Sequence, residues 1–409
     1  MKIIFVIIIG LIFSQSSILS FNGFGENQNY QNPANAGSGQ IKLFSTSYNS
    51  GSPLAYATIY KDKFTKLKIS SQFQNLKSSK AENIFTQGLD LLSISFPINN
   101  NKAFQVSLSP QYWSQYSINE LKNLETVEFD EENYAFKSNY YGRGGYSDLS
   151  IVWSQKINNY LSIGIGMSSY FGNRFQSDST FTYNIFLNSN EEEVLTPKSI
   201  TILNTTNHYQ GYGFKLDLLT HYQKFDIGIS MKAIGPFMIE QKKYYSTGLI
   251  QSNTNKINIS NLSNRILFGI KYNLNDQSAF MVENDMQKWS IIDDTYMILG
   301  SPNYNLNRLS IGTYYHYLNK SIGFYQSITF RGGLFLKSWE NQDTKQKITD
   351  FGLTIGTGLK YNNNSNNINL SFVFGERKFD IYGITNEKYF DFIIGFEVGE
   401  KWFIRNNNK

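Results

Sequence analysis

The chain has no cysteine and only 3 histidines in 409 residues, and beyond its first residues it has no apolar run long enough to cross a bilayer as a helix. Without cysteine there is no disulfide scaffold, no cysteine zinc site and no lipoprotein acylation site. With so little histidine, nucleophilic catalysis has few general bases to draw on, and no Gly-x-Ser-x-Gly element is present. The Asp-x-Asp-x-Asp-Gly spacing of a calcium loop is absent too. Two acidic runs, Glu191 to Glu193 and Asp293-Asp294, fall in expected outer loops and read as solvated faces rather than metal sites. The formal net charge of +5 is spread along the chain with no basic block, so nucleic-acid binding gains no support. No repeat of fixed period indicates a solenoid or propeller. These absences together read as a protein that is not an enzyme and needs no cofactor or metal.

What is present is aromatic: 28 Tyr, 32 Phe and 5 Trp, yet the mean hydropathy is only -0.35. A membrane barrel uses aromatics in this way, on its lipid face and interfacial girdles, without any long apolar segment. Lys2 precedes an apolar stretch from Ile3 to Phe13, followed by Ser14, Gln15, Ser16 and Ser17, the layout of a secretory signal peptide. Such a stretch falls short of the roughly 20 residues that a spanning helix needs. Cleavage is expected after Ser16 or Ser20.

From about residue 41 the chain alternates: runs of roughly 8 to 12 residues with an apolar side chain at every second position, then a polar turn. In Ser162 to Phe171 the residues Ile163, Ile165, Met167 and Phe171 take one face, and Gly164, Gly166 and Ser168 the other. Phe104, Val106, Leu108 and Tyr112 follow the same template, as do Phe351, Leu353, Ile355, Leu359 and Tyr361. It recurs in Ile368 to Phe374 and in Phe390 to Val398. Short Asn- and Asp-rich turns alternate with long polar segments: Ile118 to Tyr146, Gln176 to Tyr209, Ile239 to Ser263 and Ile291 to Asn307. Short turns at one end and long loops at the other are the pattern of an outer-membrane barrel. The fold expected is all-β: an antiparallel up-and-down barrel of about 14 strands in the outer membrane. A soluble sandwich would carry polar residues outside and apolar ones within.

Polar residues on the lumen-facing register include Lys215, Lys232, Arg308 and Arg331, candidates for attracting a carboxylate head group. The plainer alternative pairs them with lumen acids such as Asp217 and Asp226. His221 shares the register of Lys215 and Asp217, and His316 that of Arg308 and Tyr314; both read as lumen or loop residues. Before the first expected strand, Asn32-Pro33-Ala34 sits among Gly23, Gly25, Gly37 and Gly39. It reads either as a flexible lead-in or as a short segment tucked into the barrel.

The downstream half resembles the outer-membrane long-chain fatty-acid and hydrophobic-compound transporter family. The resemblance rests on Val282 to Ser290, Phe330-Arg331-Gly332-Gly333, Thr349 to Leu359, Phe374-Gly375-Glu376-Arg377, Tyr389 to Phe396 and Lys401-Trp402-Phe403. Asn32, Pro33 and Ala34 look like that family's N-terminal hatch. The resemblance implies a 14-stranded plugged barrel passing hydrophobic or amphipathic molecules without covalent chemistry. The division expected is a signal peptide over 1–20, a short hatch over 21–40 and the barrel over 41–409. Expected partners are outer-membrane lipid, a hydrophobic small molecule and, during insertion, the barrel-assembly machinery. The alternative function is an outer-membrane component of a secretion and surface-attachment system that docks protein cargo through its outer loops. A continuous apolar pocket would favour transport, and a packed lumen with an exposed aromatic patch would favour docking.

Overall fold

A computed structural model describes residues 26–27, 32–78, 84–119, 125–129, 132–187, 193–246, 250–290, 304–318, 325–341, 347–361, 365–381 and 384–400. The expected signal peptide, the acidic residues Glu191 and Glu192 and the pair Asp293-Asp294 lie outside the described residues. A two-residue strand β1 (Glu26–Asn27), a short helix α1 (Pro33–Ala36) and a 3₁₀ turn (Tyr56–Lys61) come first. The strands that follow are β2 (Thr65–Ser78), β3 (Ile84–Asn99), β4 (Lys102–Asn119), β5 (Glu125–Phe129), β6 (Glu132–Lys156), β7 (Leu161–Leu187), β8 (Glu193–Tyr222) and β9 (Phe225–Ser246). Then come β10 (Ile250–Ile259), β11 (Ser263–Asn273), β12 (Ser278–Trp289), β13 (Tyr304–Leu318), β14 (Tyr325–Asn341), β15 (Lys347–Tyr361), β16 (Asn366–Ile381) and β17 (Ile384–Glu400).

Fourteen of these form an antiparallel wall, each paired to its chain neighbour, with β5 and β10 as side pieces laid against β6 and β9. The wall closes where β17 pairs β2, from Glu387↔Ser78 to Glu400↔Thr65. Closure removes the free sheet edge that hydrocarbon would not tolerate. Outside and inside are inverted relative to a soluble protein. Met167 is 69% exposed and Ile355 54%, while Arg308, Lys337 and Asp350 are fully buried. No described helix is long and apolar enough to cross a membrane. Between β3 and β4, β6 and β7, β8 and β9, and β11 and β12 the turns are short, and they share one end of the barrel with Thr65 and Glu400.

Three expectations shift. The first wall strand starts at Thr65, not near residue 41, because Gln40 to Lys63 stays inside the barrel. The segments read as long loops are largely strands: β7 and β8 stay paired from Leu161↔Thr220 to Leu187↔Glu193. Backbone pairing needs no apolar side chains, so these strands continue beyond the roughly 9 to 11 residues that cross the hydrocarbon. Tyr112 turns inward instead of outward, because the β4–β6 register shifts between Pro110 and Tyr112, placing Trp113 outside and Tyr112 against Tyr146. A bulge of one residue reverses the faces of every side chain after it.

Candidate functional site

The lumen is filled by the segment Asn32 to Asp62. Its fold is built locally by asparagine: Asn32 Oδ1 accepts the Ala34 N–H at 3.1 Å as a helix cap, with Pro33 in the first turn where no donor is needed. The Asn35 amide then donates to the carbonyls of Ile41 and Phe44, while Ser52 Oγ donates to Asn35 Oδ1 at 2.8 Å. A compact turn results that few apolar contacts could hold alone.

Polar side chains from around the wall fasten it. Thr354 Oγ1 accepts the Gly39 N–H at 2.8 Å, and Ser371 Oγ donates to the Pro33 carbonyl. Glu283 Oε2 accepts the N–H groups of both Lys42 and Leu43 at 2.8 Å. Asp217 Oδ2 takes the Tyr56 N–H at 2.7 Å. Asp62 Oδ2 receives Lys68 Nζ and Ser95 Oγ, each at 2.8 Å. Burial alone would raise the Asp62 carboxyl, but Lys68 and Lys66 outweigh it and hold it well below the usual carboxylate range. The small residues on the inner faces make room: a Cβ at Gly164 would lie 2.3 Å from the Tyr56 backbone, and one at Gly312 2.2 Å from the Ser38 carbonyl. Gly39 adopts φ +73 beside Gly333, a conformation natural to glycine.

Of the residues expected to bind a head group, two come together. Lys215 lies 3.2 Å from Asp217 Oδ2, and Lys232 lies 3.1 Å from Asp148 Oδ2. Both line a cavity of about 60 Å³ shared with Lys42, Gln111, Asp148 and Arg265. Arg265 makes a two-pronged pair with Asp285, and Lys42 stands 3.9 Å from the same carboxylate. Burial, then the guanidinium groups of Arg265 and Arg308, push the Lys42 ammonium well below its usual range. Lys215, Lys232 and Arg265 thus each meet a carboxylate at the cavity, Asp217, Asp148 and Asp285. Towards the long-loop end Lys232 Nζ lies 5.3 Å from the Tyr170 ring centre, and Tyr170 packs with Tyr146, Tyr209 and Phe237 in an aromatic cluster with ring centres 5.4 to 6.4 Å apart.

The wall beside the cavity is unusual. β3 pairs β4 from Asn99↔Lys102 to Leu92↔Leu108, and their pairing ends there. β3 continues along β2 to Ile84, and β4 continues along β6 to Asn119. Further along, β4 pairs β1, with Trp113 opposite Glu26 and Tyr112 opposite Asn27. Leu91, Ser107, Ser109 and Gln111, from the two parting strands, all line the cavity.

A model of the BamG family matches residues 1–408. The chain belongs to the BamG family. No curated protein sequence matches it. Among solved structures it is similar to the CymD monoaromatic hydrocarbon channel, at 14% identity and TM-score 0.58, covering 95% of this chain and 100% of that one. It is also similar to a Pseudomonas aeruginosa FadL homologue, at 11% identity and TM-score 0.55, covering 92% and 98%. The Ralstonia pickettii toluene transporter TbuX follows at 12% identity and TM-score 0.53, covering 93% and 99%. These likenesses establish a shared fold, a FadL-type outer-membrane barrel, and bear out the resemblance read from the sequence.

In this BamG-family barrel the other expected site residues lie apart from the cavity. Arg308 is consumed by Glu283 at 2.7 Å and Asp285 at 3.0 Å. Arg331 donates to the Thr46 carbonyl and to Ser47 Oγ, each at 3.2 Å, so it holds the inner segment. His221 bonds Asp226 at 2.8 Å, and His316 bonds Thr329 Oγ1 at 2.8 Å beneath the Tyr314 and Tyr48 rings. His316 faces a vestibule of about 1110 Å³ at the short-turn end, shared with Lys61, Lys63 and Lys224. There burial, then Lys271, lowers Lys61 to about 8. Sequence reading missed Asp148, Arg265, Glu283 and Asp285 as site residues. Their signal was a charge on the buried register of a strand whose other register is apolar.

Proposed function

We propose that this protein is a passive outer-membrane route for hydrophobic or amphipathic small molecules, gripping a head group at Lys215 and Lys232 while the tail passes between β3 and β4. The observation that carries this reading is the parting of β3 from β4 at Leu92 and Leu108, beside a cavity lined by Lys215 and Lys232. A cavity of about 60 Å³ has room for a few waters or one carboxylate, not for an alkyl chain. The tail of an amphiphile held there has to lie in the wall, where the apolar outer face continues into lipid. The aromatic cluster above and the inner segment within the lumen crowd the axial path, which favours the lateral one. The outer membrane is the location that fits a barrel with short turns at the end where its first and last wall strands begin and finish, Thr65 and Glu400, and the hydrocarbon channels that share the fold support a route without covalent chemistry.

The test uses the absence of native cysteine. With Leu91→Cys and Ser109→Cys, oxidation should join β3 to β4 and cut uptake of a labelled fatty acid about tenfold, with recovery on reduction. Lys215→Met with Lys232→Met should lower uptake of the acid and spare the matching alcohol. Equal uptake of both compounds by cells with and without the gene would dispose of this reading.

A second reading, docking of a protein partner, has an observation of its own. Beyond the membrane belt the outward face of β7 and β8 stays apolar, pairing Phe181 with Ile200, Tyr183 with Pro197 and Ile185 with Leu195. The inward face there carries Thr180, Thr182 and Asn184. Under this reading Ile200→Lys should release a co-purifying envelope protein and leave uptake intact.

A further inference from the structure

We propose that the vestibule at the short-turn end is a second binding site, taking a small organic anion whose carboxylate or phosphate meets Lys61, Lys63 and Lys224 and whose flat body rests on Tyr48, His316 and Tyr314. Among the described residues it shares no lining side chain with the head-group cavity, so the proposal does not rest on the transport reading.

The vestibule lies between the inner segment and the turns that join β3 to β4, β8 to β9 and β11 to β12. Its volume of about 1110 Å³ is ample for a small molecule, since ordinary ligand pockets hold roughly 300 to 1,000 Å³.

Charge selects the kind of molecule. Four lysines and two aspartates line the space. Asp62 is already held by Lys66 at 3.4 Å and by Lys68 at 2.8 Å, both outside the lining, and Lys271 is held by Asp226 at 3.3 Å. What remains is Asp276 against Lys61, Lys63 and Lys224, and among the described residues none of these three lysines makes an ion pair. Lys61 feels the imbalance most: burial and then the Lys271 ammonium bring it down to about 8. A bound anion supplies the counter-charge that the lining lacks.

The body of the ligand has a surface to lie on. His316 is buried with Nδ1 fixed by Thr329 Oγ1 at 2.8 Å, and its ring centre lies 4.5 Å from that of Tyr314 and 5.4 Å from that of Tyr48. Three packed rings offer faces and edges to a flat apolar group. The rim is held as firmly. Asn273 donates its N–H to the Lys224 carbonyl at 2.7 Å, tying the end of β11 to the turn between β8 and β9, and Asn275 Oδ1 accepts the Gln277 and Ser278 N–H groups at 2.8 Å. Stiff walls preorganise the place of the body, while the flexible lysine stems let their point charges follow a carboxylate or a phosphate alike.

The experiment is isothermal titration calorimetry of the full-length protein in a zwitterionic detergent, with protein-free micelles as blank. The probes are cinnamate, a flat aromatic carboxylate, and cinnamyl alcohol, its neutral counterpart. The expected result is one saturable cinnamate site per chain, at least about tenfold tighter than the alcohol. Lys63→Gln with Lys224→Gln, both at exposed positions, should weaken cinnamate at least about tenfold and leave the alcohol unchanged. Tyr48→Leu should weaken both compounds to the same degree. Lys256→Gln, on the exposed lysine beside Glu240 near the opposite end of the barrel, is the control and should change neither. The proposal is overturned by no saturable binding, by equal affinity for the two compounds, or by cinnamate affinity that survives Lys63→Gln with Lys224→Gln. Loss of cinnamate binding in Lys215→Met with Lys232→Met alone would place the anion in the head-group cavity, so that the transport reading stands and this proposal falls.

Discussion

Leu43 donates its backbone N–H to Glu283 Oε2 at 2.8 Å, across 240 residues of sequence, while Oε1 of the same carboxylate lies 2.7 Å from Arg308. One buried acid thereby ties the inner segment to the wall and neutralises a buried guanidinium. Removing it should be costly in both respects. Glu283→Leu is expected to destabilise the folded barrel by about 3 to 5 kcal/mol, because it leaves a buried cation short of its partner. Arg308→Met in the same chain should recover most of that loss. Urea unfolding in detergent, followed by tryptophan fluorescence, measures both variants and their coupling.

Gly312 lies under the inner segment, and a Cβ there would stand 2.2 Å from the Ser38 carbonyl. Gly312→Val should therefore displace the plug without harming the wall, raising conductance in planar bilayers from a closed to an open level. Gly88→Ala is the control, since nothing lies within 4 Å of a Cβ at that position. An unchanged conductance for Gly312→Val would show that the plug does not close the lumen.

Acid should loosen the plug at Asp62. Its carboxyl is held below the ordinary value of 3.8 by Lys68 and Lys66, against the opposing effect of burial. A folded-state value below the unfolded one lends stability that is complete above about pH 5 and is lost as the pH falls through 4 and lower. Conductance should hold level down to about pH 4 and rise only below it, as the pH approaches the depressed folded-state value. In Asp62→Asn the plug should be loose at neutral pH and the acid-dependent step should vanish.

The outer face should tolerate charge poorly. Ile355 is 54% exposed on the outer face of β15, so Ile355→Lys is expected to cost about 2 to 4 kcal/mol of insertion stability if it lies near the bilayer midplane. Refolding into phospholipid vesicles, read by the heat-dependent shift in gel mobility, tests this. Were the variant as stable as the native chain, the outward face of β15 would not be meeting lipid.

The inverted barrel was legible from sequence because a strand alternates strictly: Ile165 and Met167 outside imply Gly166 and Ser168 inside, whatever the rest of the chain does. The lumen register of Lys215, Lys232, Arg308 and Arg331 was readable for the same reason. Tyr112 was not, because a bulge near Pro110 reverses the faces and leaves little mark in the composition. Nor was the extent of the inner segment, since Gln40 to Lys63 has polar and apolar residues in no strict period and its environment is the wall around it.

What each cation does belongs to a different order of information. Lys215 and Lys232 share a cavity and Arg308 does not, because strand register and the path of the plug decide which acid each one meets. The partners of the plug are distant: Pro33 meets Ser371 at a separation of 338 residues. Local sequence determined the alternating strands and the turns through short-range sterics and the contrast between lipid and water. Closure of the barrel alone decided which side chains share the interior, because only closure brings strands from both ends of the chain around one segment.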